Sequence, residues 1–272
     1  MYFCLNRATA GGGLPLDQFL RLCADAGFSG ADVDMSYGVA NGAAALRDLY
    51  ASHKLRYGGW GLGDWRGEQG KHADCIASLK KQAAIAGQLG IDSCCTWIMP
   101  SSKLRFMDNW NFHVQRLQPV AEVLAEHGLR LGLEFIGPYH LRVANPHEFI
   151  YSPGLMLELG AAIGPNVGLL VDVFHCHTAN VTWEHLASIP KEKIVLAHFN
   201  DAPRIPVAEV HDQKRLLPGE GVIDLRAFVD ALAKTGYAGP VSVEVFGEDL
   251  KKLPPTEAAA KAWAATRRFV TG

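Results

Sequence analysis

The chain has 272 residues, 49% of them hydrophobic, and its 26 Lys+Arg against 28 Asp+Glu leave a formal net charge of −2. That length suits one large α/β barrel or two small domains, and it can bury a full core without disulfide or metal staples. Basic residues fall in scattered pairs (Lys80 and Lys81, Lys251 and Lys252, Arg267 and Arg268), so the electrostatic footprint of a nucleic-acid binder is missing.

The opening "MYFCLNRATAGGG" has neither the basic start nor the apolar stretch of a signal peptide. No apolar run approaches the ~18–20 residues of a membrane span, so the chain is expected in the cytoplasm. The six cysteines (Cys4, Cys23, Cys75, Cys94, Cys95, Cys176) show no CxxC spacing and sit mostly in apolar surroundings. They are expected to be buried free thiols in a reducing compartment.

Strand-like runs recur along the chain: 1–6, 31–35, 55–60, 93–98, 130–135, 167–173, 194–199 and 241–246. Stretches with helical periodicity lie between them, such as "LDQFLRLCADAG", "CIASLKKQAAIAGQLG" and "LRAFVDALAKTG". Gly27, Gly90, Gly128, Gly164 and Gly236 each follow a helical stretch and read as helix stops. Strands alternating with helices imply parallel pairing, and eight such units in ~250 residues are the arithmetic of a (β/α)8 TIM barrel. An open doubly wound sheet is the alternative. "GGWGLGDW" (58–65) lacks the GxGxxG spacing and is not a nucleotide loop. No linker interrupts the chain, so residues 1–272 are expected to form one domain.

Side chains alternate along a strand, which decides which residues share a face. Leu131, Leu133 and Phe135 oppose Gly132 and Glu134; Leu169 and Val171 oppose Leu170 and Asp172. Val195, Ala197 and Phe199 oppose Leu196 and His198, while Val241, Val243 and Val245 oppose Ser242 and Glu244. The more uniformly apolar set should pack on the outer helices. The other set then points into the barrel and ends in Glu134, Asp172, His198 and Glu244 at the catalytic, C-terminal face. Three carboxylates in one half-buried cavity repel one another and lose solvation, and a divalent cation relieves both penalties. Three oxygen donors and one imidazole suit Mn²⁺, Co²⁺, Zn²⁺ or Mg²⁺, with open positions for a chelating substrate. His175, three residues past Asp172, is expected over the barrel mouth as a substrate contact, and Trp60 could line an apolar wall. Asn6 and Asp34 could reach the mouth or cap helices, and Asp201 could orient His198 or Arg204.

These residues resemble the xylose-isomerase-like TIM-barrel superfamily of sugar-phosphate isomerases and epimerases, and within it most nearly the inosose isomerases of myo-inositol catabolism. The resemblance runs over nearly the whole chain, through "LNRATA", "GLEFIG", "VGLLVDVFHCH", "LAHFNDAPR", "LLPGEGVIDLRAFVDAL" and "VSVEVF". It implies that Glu134, Asp172, His198 and Glu244 hold one catalytic divalent ion, Mn²⁺ first among the candidates. It also implies that His175 and Arg204 bind substrate oxygens. Ketose epimerases of this family carry a Glu six residues past the fifth-strand ligand, where this chain has His140, so the grip on substrate there differs.

The expected chemistry is isomerisation or epimerisation of a keto-sugar or keto-inositol by proton transfer beside a carbonyl. Glu134 and Glu244 serve as base and acid in an order left open. A metal-dependent lyase shares the first proton step and is the rival; a non-catalytic sugar-binding barrel is the third reading. Apurinic endonucleases of the superfamily need extra histidines and an Asp-x-His before Gly-x-Gly, where this chain has Gln213 and Arg215. The expected partner is a small carbohydrate, with no nucleic acid and no membrane; homo-oligomerisation is left open.

Overall fold

The computed structural model describes residues 1–10 and 12–270. Nine strands form one sheet in the order Arg56–Tyr57, Gly30–Ala31, Tyr2–Leu5, Pro240–Val243, Ile194–Phe199, Val167–Asp172, Arg130–Phe135, Ser93–Ile98, Trp60–Gly61. Every neighbouring pair is parallel. The two ends of that order are halves of one predicted strand, broken at Gly58–Gly59. Arg56–Tyr57 pairs with the second strand and Trp60–Gly61 with the fourth, so this short segment closes the sheet into a TIM barrel.

Helices such as Leu16–Ala26, Gln69–Leu89, Phe106–Ala125 and Leu225–Thr235 cover the outside. Leu16, Phe19, Leu20 and Cys23 of the first recur at the i, i+3, i+4, i+7 spacing and are buried, as an amphipathic stripe requires. Gly27, Gly90, Gly128 and Gly236 take positive φ after their helices, the conformation that side chains disfavour. Gly164 also ends a helix, but with extended backbone (φ 175°) that any residue could adopt.

The main core lies between sheet and helices, and a small second cluster of Cys95, Leu170, Val195 and Leu196 fills the barrel. Simple alternation assigns Val195 to the outer face. An irregularity between Ile194 and Leu196 adds a residue to the register and turns Val195 inward, where Gly132 leaves room for it. All six cysteines are free and buried. Among the described residues no helix is long and apolar enough to cross a membrane.

Candidate metal centre and active site

The cluster is built at the ends of four adjacent strands. Glu134 is the penultimate residue of Arg130–Phe135, and Asp172 is the last of Val167–Asp172. His198 is the penultimate residue of Ile194–Phe199, and Glu244 follows Pro240–Val243 directly. The register places His198 beside both Asp172 and Ser242, which carries the four side chains to one level. One ligand atom from each lies within 4.8 Å of the others. Asp172 also caps the short helix Val173–Thr178, accepting the Phe174 N–H at 2.7 Å.

A guanidinium completes the arrangement. Arg215, 3% exposed, donates through Nη1 to Asp172 Oδ2 (2.6 Å) and Glu244 Oε2 (2.8 Å). Its Nη2 donates to Asp212 Oδ1 (2.8 Å) and lies 3.0 Å from His175 Nε2. Asn200 Nδ2 reaches both oxygens of Asp172, at 3.1 and 3.2 Å. Burial opposes the charge on Asp172, but Arg215 and the neighbouring histidines outweigh it and hold the carboxyl well below the usual range. Burial likewise disfavours imidazolium at His198, yet Glu244 and the other two carboxylates hold its pKa well above the ordinary value.

This donor set fits a divalent cation. Glu134 Oε1 and His198 Nδ1 are buried without a hydrogen-bond partner, which is costly unless something binds there. Nδ1 does approach Glu244 Oε2 to 3.1 Å, but not in hydrogen-bond geometry. Glu134, Asp172, Glu244 and Asp212 outnumber the cationic Arg215 and His198, so the cluster keeps negative charge for a divalent ion to balance.

Two cavities flank the cluster and share Trp97, Glu134 and Glu244. One, of about 270 Å³, has Trp60, Leu170 and Leu196 as apolar wall and Asn6, Asp32 and His198 as polar lining. The other, of about 320 Å³, is lined by Met99, Ile136, Leu141 and Phe246 together with Asp212 and Arg215. Trp60 therefore stands where the sequence places it. His175 is fully buried in a helical turn, not over the mouth, and its Nδ1 accepts the Gly137 N–H at 3.3 Å. His140 lines neither cavity; its ring stacks on His211 at 4.2 Å, one residue before Asp212.

Arg204 is exposed and lines neither cavity. Pro203 and Pro206 flank it, and the Ile205 N–H closes a tight turn onto the Pro203 carbonyl at 2.9 Å. The guanidinium that reaches the cluster is Arg215, whose only signal in the sequence is its place before "LLPGEG". Asp201 touches neither His198 nor Arg204. Its carboxylate accepts the N–H groups of Ala202, Gly219, Gly221 and Ile223 and so holds the "PGEGVI" loop. Asp34 caps the helix Met35–Asn41, while Asn6 reaches the site through Glu244 Oε1 at 3.3 Å.

Residues 20–269 match the model of the family described as xylose isomerase-like TIM barrel. The chain belongs to that family. Among curated relatives of this barrel family, the inosose isomerase of Bacillus velezensis is 26% identical over 281 residues, spanning 100% of this chain and 98% of that one. The 3-dehydroshikimate dehydratase of Pseudomonas aeruginosa is 33% identical over 140 residues, 51% of this chain but 21% of that protein. A crystal structure of the IolI protein with a bound zinc atom superposes with a TM-score of 0.81 at 25% identity, covering 99% of this chain and 98% of that one.

Proposed function

We propose that this family member is a metal-dependent isomerase or epimerase of a cyclic polyol ketone, an inosose or a related keto-sugar. The observation that carries the reading is the convergence of Glu134, Asp172, His198 and Glu244 on one point beside a cavity of about 270 Å³. A divalent ion held there, manganese or zinc first, supplies Lewis-acid polarisation of a carbonyl. Glu134, whose Oε1 carries no hydrogen bond, takes the proton from the carbon beside that carbonyl, and Glu244, ionised at rest beside His198 and Arg215, relays one from solvent to the opposite face. Arg215, which lines the larger cavity with His175 packed behind it, meets the negative charge that develops on the substrate oxygens. Of the two arginines, Arg215 has the geometry for this role and Arg204 does not. The likeness to an inosose isomerase along the whole chain agrees with this substrate class.

A lyase is the second reading, favoured by the 33% identity to a dehydratase over half of this chain. Both begin by removing the same proton, so one experiment separates them. Purified protein loaded with Mn²⁺ is given 2-keto-inositol in D₂O, quenched with chelator and read by proton NMR. Deuterium at the carbon beside the ketone, with a new stereoisomer, is the expected result. Deuterium with loss of water assigns the lyase, and the absence of exchange rejects this substrate.

A further inference from the structure

Gly58 and Gly59 form the break in the third strand, and no nucleotide explains them. What Gly58 accommodates is a carboxylate, while Gly59 leaves room for Leu196. A Cβ at Gly58 would lie 2.2 Å from Asp32 Oδ1 and 3.0 Å from the Ala31 carbonyl, so only glycine leaves room. The Gly59 N–H donates to the same Oδ1 at 3.2 Å. Asp32 is 9% exposed and lines the smaller cavity, yet it is not one of the four clustered ligands. Ser242 Oγ donates to Oδ1 at 2.5 Å and Asn6 Nδ2 to Oδ2 at 2.9 Å, so both oxygens are committed to protein donors.

Asn6 is equally constrained. Its Oδ1 accepts the Ala8 N–H at 2.8 Å, which decides which end of the amide faces inward. The Nδ2 group then spends its two hydrogens on Asp32 Oδ2 and Glu244 Oε1. Glu244 Oε2 is taken by Arg215, so Asn6 is the donor that sets the other oxygen. Ser242 lies two residues before Glu244 on the same strand face, so Asp32 holds the eighth strand directly at Ser242 and reaches Glu244 through Asn6.

We propose that Asp32, seated by Gly58 and Gly59, acts through Asn6 as a positioning chain that sets the carboxylate of Glu244 in the metal centre. The inference rests on the metal-centre reading. Groups that orient metal ligands typically contribute about 10- to 100-fold in affinity.

The test is Zn²⁺ affinity of the full chain, stripped of metal and titrated against a competing chelator, which needs no substrate. Asn6→Ala and Asp32→Asn should each weaken binding about 10- to 100-fold. The double variant should lose no more than the weaker-binding single, because both changes cut one chain. Gly58→Ala displaces Asp32 without deleting any member and should show the same loss. Asn6→Ala keeps the bonds of Asp32 to Ser242 and Gly59, and thermal unfolding of the stripped variants shows whether each is folded. Singles that bind like wild type, or losses that multiply in the double variant, overturn the chain alone. A wild-type protein that binds no zinc overturns the metal centre with it.

Discussion

At the scale of the residue, the site is asymmetric. Glu244 has both oxygens engaged by Asn6 and Arg215, whereas Glu134 Oε1 has no hydrogen-bond partner. Glu134→Gln keeps a ligating oxygen but cannot accept the proton. It should lower kcat by at least about 10²-fold, with metal still bound, as read by initial rates and metal stoichiometry. Arg215 touches Asp172, Glu244 and Asp212 and lies beside His175 with one planar group, a reach that an ammonium lacks. Arg215→Lys should therefore cost about 10²- to 10³-fold in kcat, and Arg204→Ala far less, when both are assayed on one substrate. If the two losses are equal, the assignment of Arg215 is wrong.

At the scale of the element, the sequence was most informative where a strand is long and buried on both faces. The runs 130–135 and 194–199 match their strands residue for residue, and alternation alone brought Glu134, Asp172, His198 and Glu244 to one face. It fails at the second strand: of the expected run 31–35 only Ala31 lies in the strand Gly30–Ala31, and Asp34 caps the helix that starts at Met35. Arg215 and Asn200 were invisible for another reason. A loop side chain has no period, and only the path of the chain from Phe199 to Arg215 decides which cation turns inward. The joint between the fifth-strand loop and the helix Val173–Thr178 leaves no room for a side chain. A Cβ at Gly137 would meet Thr178 Oγ1 at 2.2 Å and the His175 carbonyl at 2.5 Å. Gly137→Ala should destabilise the protein by about 1–3 kcal/mol in denaturant unfolding. It should also disturb the site through His175, seen as a lower kcat.

At the scale of the whole molecule, a group far from the site reports on global stability. His113 lies buried on the helix Phe106–Ala125, stacked on Phe149, with Nδ1 bonded to the Asn109 carbonyl. Burial pushes its pKa down to about 4 from the ordinary 6.5. Between those values the unfolded chain binds more protons than the folded one, so stability rises with pH. The contribution is complete above pH 6.5 and lost as the pH falls to 4, an effect of about 3 kcal/mol at 1.36 kcal/mol per pH unit. His113→Phe should flatten the dependence of Tm on pH in that window, and an unchanged slope would refute the assignment.

The closure of the barrel by two two-residue strands has a kinetic corollary. The long strands from Ser93 to Phe199 register over four to six residues with their neighbours, while the seam holds two pairs on each side of Gly58–Gly59. Such a seam is the natural last step of folding and the first place to breathe. Because Asp32 sits in that same break and reaches Glu244 through Asn6, the ring cannot open there without loosening the Glu244 carboxylate. Occupying the centre should then slow amide exchange at Gly58 and Gly59 more than at Leu131 or Leu133, which would make a bound cation a clasp on the barrel.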